Sequence, residues 1–473
     1  MVFNSFSFLI VYPVLFLLYY FIPSRWCWIR NLYLLIISYL LYAVSNPRFL
    51  LILIGLTAVT YLSALLISKN KINRKLIVIL GGGAISFMPL LIFKYTNFVA
   101  NNIEGLLSSI GISCNIPGLN WAIPLGISFF TFQAVGYLFD VYYDRIEVEK
   151  NYLDYSLFVS FFPSIVSGPI NKASLLLPQI KNNTKSFDYD NVVNGLKMLL
   201  WGMIMKVVIA DRISIFVDTV YSTVDYYTGL TYLVASFLYS IQIYADFAGY
   251  TLMALGVGKT LGFELTENFR RPYFAVSVTD FWRRWHISLS TWLKDYVYIP
   301  LGGSRCSKLR NYWNIFVTFL VSGIWHGANW TFIIWGICHG LFQIIEKALG
   351  QQKCEYGWMG KSIKIFITFM LVNFAWIFFR MPSVQDAFTV ISEIVTVKGG
   401  LSIYFAGFKP LLFILLGVIM LLFKDITDEF YPGRFLLYNN KNTIVRWLSY
   451  IVSVVIVLTC GVLDSGQFIY ANF

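Results

Sequence analysis

Residues 311–346 run NYWNIFVTFLVSGIWHGANWTFIIWGICHGLFQIIE. Two apolar runs, 311–326 and 330–346, flank a turn made of Gly327, Ala328 and Asn329. Each run approaches the ~20 residues with which an α-helix crosses a bilayer, so the stretch predicts two membrane helices joined tightly. Outward from it the same pattern recurs at 6–22, 29–44, 48–68, 76–94, 121–139, 192–216, 230–248, 363–379, 408–423 and 444–463. The chain therefore reads as an all-α polytopic membrane protein with about 11–13 transmembrane helices. No internal repeat or soluble appendage stands out, so one integral-membrane domain over 1–473 is expected, with a catalytic core at about 121–346.

Composition agrees. Hydrophobic residues make up 58% of the chain and charged residues 13%, with a mean hydropathy of +0.67, which a soluble domain could not hide from water. Aromatic residues reach 18%, as suits rings that sit apolar on one side and wet on the other at a membrane interface. The first run, Phe6 to Ile22, has no charged flank before it and no small-residue cleavage site, so it reads as a retained helix rather than a signal peptide. The net charge of +12 comes mainly from Lys and Arg between spans, the pattern of cytoplasmic loops and not of nucleic-acid contact. Arg25 and Arg30, then Lys69, Lys71, Arg74 and Lys75, contrast with 96–120, which has no basic residue. The N-terminus is therefore expected outside, 217–229 outside, and Arg145, Lys150 and the basic stretch 249–310 inside.

Some stretches do not read as simple spans. Lys197 and Lys206 sit inside an apolar run, which lipid tolerates only where protein or a wet cavity shields the charge. Leu157 to Ile170 contains Phe161-Phe162-Pro163 and Ser167-Gly168-Pro169, so a re-entrant segment is expected there. In 276–300, Trp282, Trp285, Leu289, Trp292 and Tyr296 recur at helical spacing with Arg283, Arg284, Ser288, Thr291 and Asp295 on other faces, which predicts one amphipathic, interfacial helix.

Only three histidines occur, His286, His326 and His339. His326 lies in the turn between two apolar helices, with Gly323 and Gly327 giving close access to its ring. Imidazole can take a proton from a hydroxyl nucleophile and return one to a leaving thiolate near neutral pH, so His326 is the expected general base. His286 has two readings: a ring wedged between Trp282 and Leu289, or a lining residue of a donor entrance where Arg283, Arg284 and Lys294 meet phosphates. His339 reads as a structural residue. The histidines are too far apart for a HExxH site, and the six cysteines form no close pair, so neither a metal site nor a disulfide framework is expected. Gly256-Val257-Gly258-Lys259-Thr260 follows a membrane helix rather than a strand and has Met253 where a phosphate loop needs glycine. No serine stands in a GxSxG elbow.

Several ordered blocks resemble the membrane-bound O-acyltransferase family, in its alginate O-acetyltransferase-like branch. They are Ile123-Pro124-Leu125-Gly126 through Gln133, the Phe-Phe-Pro and Ser-Gly-Pro-Ile segments, Tyr244-Ala245-Asp246-Phe247-Ala248-Gly249-Tyr250, and Gly262 through Phe269. The two histidine segments, Phe378-Phe379-Arg380 and the closing Phe468-Ile469-Tyr470 follow in order. The last residues, Tyr470 to Phe473, depart from the glutamine-containing ending usual there.

The resemblance implies a helical ring around a tunnel in a bacterial inner membrane, with Trp325-His326-Gly327 matching the near-invariant histidine and Trp285-His286 a second polar catalytic position. It implies no bound cofactor but an acyl thioester donor, acetyl-CoA, arriving from the cytoplasm. The acceptor, a polysaccharide or a serine of an extracytoplasmic partner acetyltransferase, is implied to arrive from outside. The candidate site is then His326 and His286 as catalytic residues, with Arg283, Arg284, Trp285, Trp292, Lys294, Asp295, Trp325 and Asn329 around the substrates. Asn329 or a backbone amide would meet the oxyanion. The rival enzyme reading is D-alanine transfer from a carrier protein to teichoic acid; a transporter or polymer flippase is the rival of another class, and it would call for inverted repeats.

Overall fold

In a computed structural model the chain is described at residues 3–44, 46–69, 73–119, 121–224, 226–350, 357–396, 408–434 and 437–462. Phe468, Ile469 and Tyr470, like the departing chain end and Cys354, lie outside these residues. The described residues form helices and irregular connections, without a strand, and they fall into two compact units.

The first unit takes in 7–193 and 257–266. It holds α1 (Phe6–Phe21), α2 (Cys27–Ala43), α3 (Pro47–Lys69), α4 (Arg74–Ser109), α5 (Ile127–Tyr142), α6 (Tyr152–Ser160) and α7 (Ala173–Lys181). It also holds the start of α8 (Tyr189–Tyr221) and the end of α9 (Gly229–Thr260). α5 is the core: nearly every side chain from Ile127 to Val141 is buried. Helix α4 opens into a wide π-type turn over Val78–Ile85, where a Cβ on Gly82 would stand 2.5 Å from Leu138 of α5. The absent side chain is what lets the two helices meet.

The helix α4 runs on to Ser109, so the expected loop 96–120 is helical for half its length. The expected re-entrant stretch is a different object from a helix. α6 stops at Ser160, and the chain through Ile170 is irregular and buried, a condition allowed at membrane depth only when protein satisfies the backbone. Gln133 does part of this, accepting from the Asn171 amide at 3.0 Å while its own amide donates to the Phe158 carbonyl. Gly126, at φ +72°, abuts the Ile165 carbonyl where a Cβ would come to 2.3 Å.

The second unit takes in 194–256 and 267–473. Besides the main parts of α8 and α9 it holds α10 (Val278–Arg284), α11 (Ile287–Leu293), α12 (Lys308–His326), α13 (Trp330–Ala348), α14 (Trp358–Arg380), α15 (Val384–Thr396), α16 (Phe408–Phe430) and α17 (Thr443–Cys460). α8 and α9 cross at glycine: a Cβ on Gly202 would lie 2.6 Å from the Gly249 carbonyl, and one on Gly256 2.6 Å from the Gly195 carbonyl. Small residues at such crossings let helix backbones approach closely. Lys206 stands on a π-type turn of α8, Ile204–Ala210, with its ammonium 2.8 Å from Asp211 and 2.6 Å from Asp246. Lys197 reaches Asn439 at 2.7 Å. Both lysines inside the apolar run are thus shielded by polar partners, as membrane burial requires.

Six described helices are long and apolar enough to cross a membrane: α3, α4, α8, α14, Pro410–Phe430 of α16, and α17; α1 and α2 are shorter apolar helices. The other expected spans, at 121–139, 230–248, 311–326 and 330–346, are the helices α5, α9, α12 and α13. The expectation of one helix over 276–300 is corrected. Two short helices, α10 and α11, meet at a break, followed by a π-type turn over Lys294–Tyr298.

Candidate active site

The break is held from outside the segment. His286 adopts φ +43°, a left-handed conformation that is rare for any residue with a side chain. Asn268 accounts for it: its carbonyl accepts from the Ile287 amide at 3.0 Å, and its side-chain oxygen accepts from the Ser288 amide at 3.0 Å. The same side-chain oxygen lies 3.4 Å from His286 Nδ1. Because that oxygen already accepts from a backbone amide, Nδ1 is assigned as the ring's N–H and Nε2 as its acceptor. His286 is fully buried, edge-on to Phe247 with centroids 4.7 Å apart. Burial pushes its pKa down to about 3, so the ring is neutral near neutral pH.

His326 is the last residue of α12, followed by Gly327 as the cap. The helix ends there because Asn329 caps the next one, its side-chain oxygen accepting from the Thr331 amide at 3.1 Å. The α12–α13 hairpin closes on glycine: a Cβ on Gly323 would lie 2.4 Å from the Phe332 carbonyl, and one on Gly336 2.5 Å from the Phe319 carbonyl. That close packing sets the His326 ring in an aromatic box, edge-on to Trp325 (5.0 Å), Trp335 (4.8 Å) and Phe379 (5.2 Å). The helix C-terminus is the end of the macrodipole that suits a transient positive charge.

The histidines share one aromatic seam. His286 faces Trp325 at 6.0 Å, Trp325 adjoins His326, and Trp335 lies 4.8 Å from His326 and 4.9 Å from His339. His339 Nδ1 accepts from the Trp282 indole at 3.2 Å, which fixes its tautomer and ties α13 to α10. The sequence clustering of the histidines is therefore a clustering in space.

The remaining candidates divide. Trp285, Trp292 and Trp325 are buried, and Trp285 packs on Phe281, Phe269 and Trp376. Arg283 and Lys294 are exposed, and Asp295 is half-buried on the π-type turn. Arg284 is engaged: Glu429 of α16 holds its guanidinium at 2.8 Å and Asp280 at 3.1 Å. Glu429 also holds Arg271 at 2.6 Å. Asn329 has its amide on the Pro382 carbonyl at 2.7 Å, so both ends of that side chain are committed. Asn268 and Glu429 were not among the candidates. Asn268 stood in a quoted block without a role, and Glu429 carried no local signal. Among the described residues no group of His, Cys, Asp and Glu could hold a metal ion.

What this arrangement can do is acid–base work: a neutral imidazole with an acceptor nitrogen, a second imidazole at a helix end, and aromatic walls that exclude water. The description "MBOAT, membrane-bound O-acyltransferase family" matches residues 143–385. The chain is similar to a Pseudomonas syringae protein named probable alginate O-acetylase, 40% identical over 82% of this chain and 74% of that protein. It is similar to the peptidoglycan O-acetyltransferase of Helicobacter pylori, 38% identical over 78% of this chain and 74% of that protein. A third relative, the teichoic acid D-alanyltransferase of Bacillus subtilis, is 29% identical over 54% of this chain and 68% of its own.

Proposed function

The chain belongs to the membrane-bound O-acyltransferase family, and on that premise we propose that it moves acetyl from cytoplasmic acetyl-CoA to an extracytoplasmic hydroxyl. It is a multi-pass membrane enzyme. The hydroxyl belongs to a cell-envelope glycan or to a partner transferase that carries the group onward. The observation that carries this reading is His326 at a helix end inside its aromatic box.

His326 takes the proton of the acceptor hydroxyl as its oxygen attacks the thioester carbonyl. The tetrahedral intermediate then collapses, the C–S bond breaks, and the imidazolium returns the proton to the departing thiolate. His286, neutral and with Nε2 as an acceptor, orients a substrate hydroxyl or thiol. Exposed Arg283 and Lys294 meet donor phosphates, and Arg284 supports that surface through Glu429. Acetyl is favoured over D-alanine because the similarity to acetyl-transferring relatives covers 82% of the chain against 54% for the D-alanyl one.

The test is acetyl transfer from radiolabelled acetyl-CoA in proteoliposomes. His326→Gln keeps hydrogen bonding without general-base strength, so the rate should fall by ~100-fold to ~10,000-fold with the folded yield retained. A variant keeping more than about a tenth of wild-type transfer would remove His326 from the base role. Transfer of D-alanine from a carrier thioester in place of acetyl would overturn the donor.

A further inference from the structure

Arg380 of the block Phe378-Phe379-Arg380 has no part in the chemistry above, yet it lines an open cleft of about 730 Å³ in the second unit. Tyr221, Ser222 and Tyr226 form one wall, and Arg380, Pro382 and Asp386 the other. The volume is within the range of small-ligand sites. The second wall continues directly from the His326 box: Phe379 touches the His326 ring at 5.2 Å, and Asn329 holds the Pro382 carbonyl at 2.7 Å.

Three features define the occupant. Arg380 is paired with Asp218 at 2.7 Å and lies over the Tyr221 ring at 5.7 Å, so its charge is spent and its remaining N–H groups stay available to hydroxyls. Asp386 adds a carboxylate, held by the Ser383 hydroxyl at 2.6 Å, which leaves these three ionised groups with a net charge of −1 (one Arg, two Asp). Tyr221 is buried and backs the cleft as a wall. Tyr226, 75% exposed, offers a flat face at the mouth.

We propose that this cleft binds the acceptor and that the bound portion is an uncharged sugar segment, with a ring face on Tyr226 and hydroxyls against Arg380 and Asp386. A polyuronate would bring its carboxylates to a site already carrying excess negative charge. The role as acceptor site rests on the acyl-transfer reading, but occupancy does not.

Binding is therefore measured without donor, by saturation-transfer NMR on the full chain in nanodiscs, with cellotetraose, chitotetraose and tetragalacturonate as probes. A neutral tetraose should bind and tetragalacturonate should bind at least tenfold more weakly. Tyr226→Ala should weaken the neutral probe at least tenfold, Tyr226→Phe should restore it, and Asp386→Arg should shift preference toward tetragalacturonate. Failure of both neutral probes to bind, insensitivity to Tyr226→Ala, or equal binding of tetragalacturonate by the wild type would overturn the cleft. Absence of acetyl transfer beside intact neutral-sugar binding would overturn the acetyl-transfer reading and leave the cleft standing.

Discussion

His286 and His326 lie near each other along the seam but stand in different surroundings, one at a break between short helices and the other at a helix end. His286 is buried, held by Asn268 and depressed to about 3 from the ordinary 6.5. An unfolded chain binds a proton on this residue between those two values and the folded chain does not, so stability is full above pH 6.5 and falls as the pH drops toward 3. His286→Gln should therefore flatten the acid side of the thermal-stability curve, read as a smaller drop in Tm between pH 7 and pH 4 in detergent. An unchanged slope would place the acid sensitivity elsewhere. The same depression means that a rate-controlling titration near neutrality would belong to another group, so the pH profile of the surviving activity should keep its midpoint in His286→Gln.

At the scale of elements, the short helix α10 is defined at both ends by distant carboxylates. Glu346 of α13 accepts from the Val278 and Thr279 amides at its N-terminus, where a helix presents unsatisfied donors. Near the C-terminus, Glu429 of α16 holds Arg284. Neighbouring arginines should then respond differently to charge reversal. Arg283→Glu should raise the acetyl-CoA concentration for half-maximal rate with the folded yield intact, because that side chain is exposed. Arg284→Glu should instead lower the folded yield, because it sets a like charge against Asp280 and Glu429 in a half-buried cluster, at a cost of roughly 1–3 kcal/mol. Size-exclusion yield and donor saturation curves measured together separate the two effects; equal behaviour of both variants would contradict the pairing.

For the whole molecule, direction of transfer depends on orientation, and orientation here rests on the distribution of Lys and Arg between spans. The native Cys114 is exposed in the connection expected outside. It should react with an impermeant thiol reagent applied to intact cells. In a Cys114→Ser background that labelling should disappear, and a cysteine introduced as Asn73→Cys, on the basic side, should stay unlabelled until the membrane is opened. The reverse pattern would invert the proposed direction of acyl transfer.

The helices were legible because each is specified by its own residues: in lipid every backbone group must be satisfied within its segment, so apolar runs of sufficient length are helices wherever they stand. The place of His326 at a helix end was legible for the same reason, and its candidacy for the site came from the cost of an ionisable ring at the turn between two such runs. The break at His286 was not, because no Gly or Pro marks it and the groups that hold it belong to Asn268, upstream of the helix period that suggested continuity. Nor was the difference between Arg283 and Arg284, adjacent in sequence and alike in type, which turns on a carboxylate near the end of α16. Local periodicity reports which face of a segment is apolar; only tertiary packing decides which distant group a charged or strained residue meets, and so whether it stays exposed or is tied into the fold.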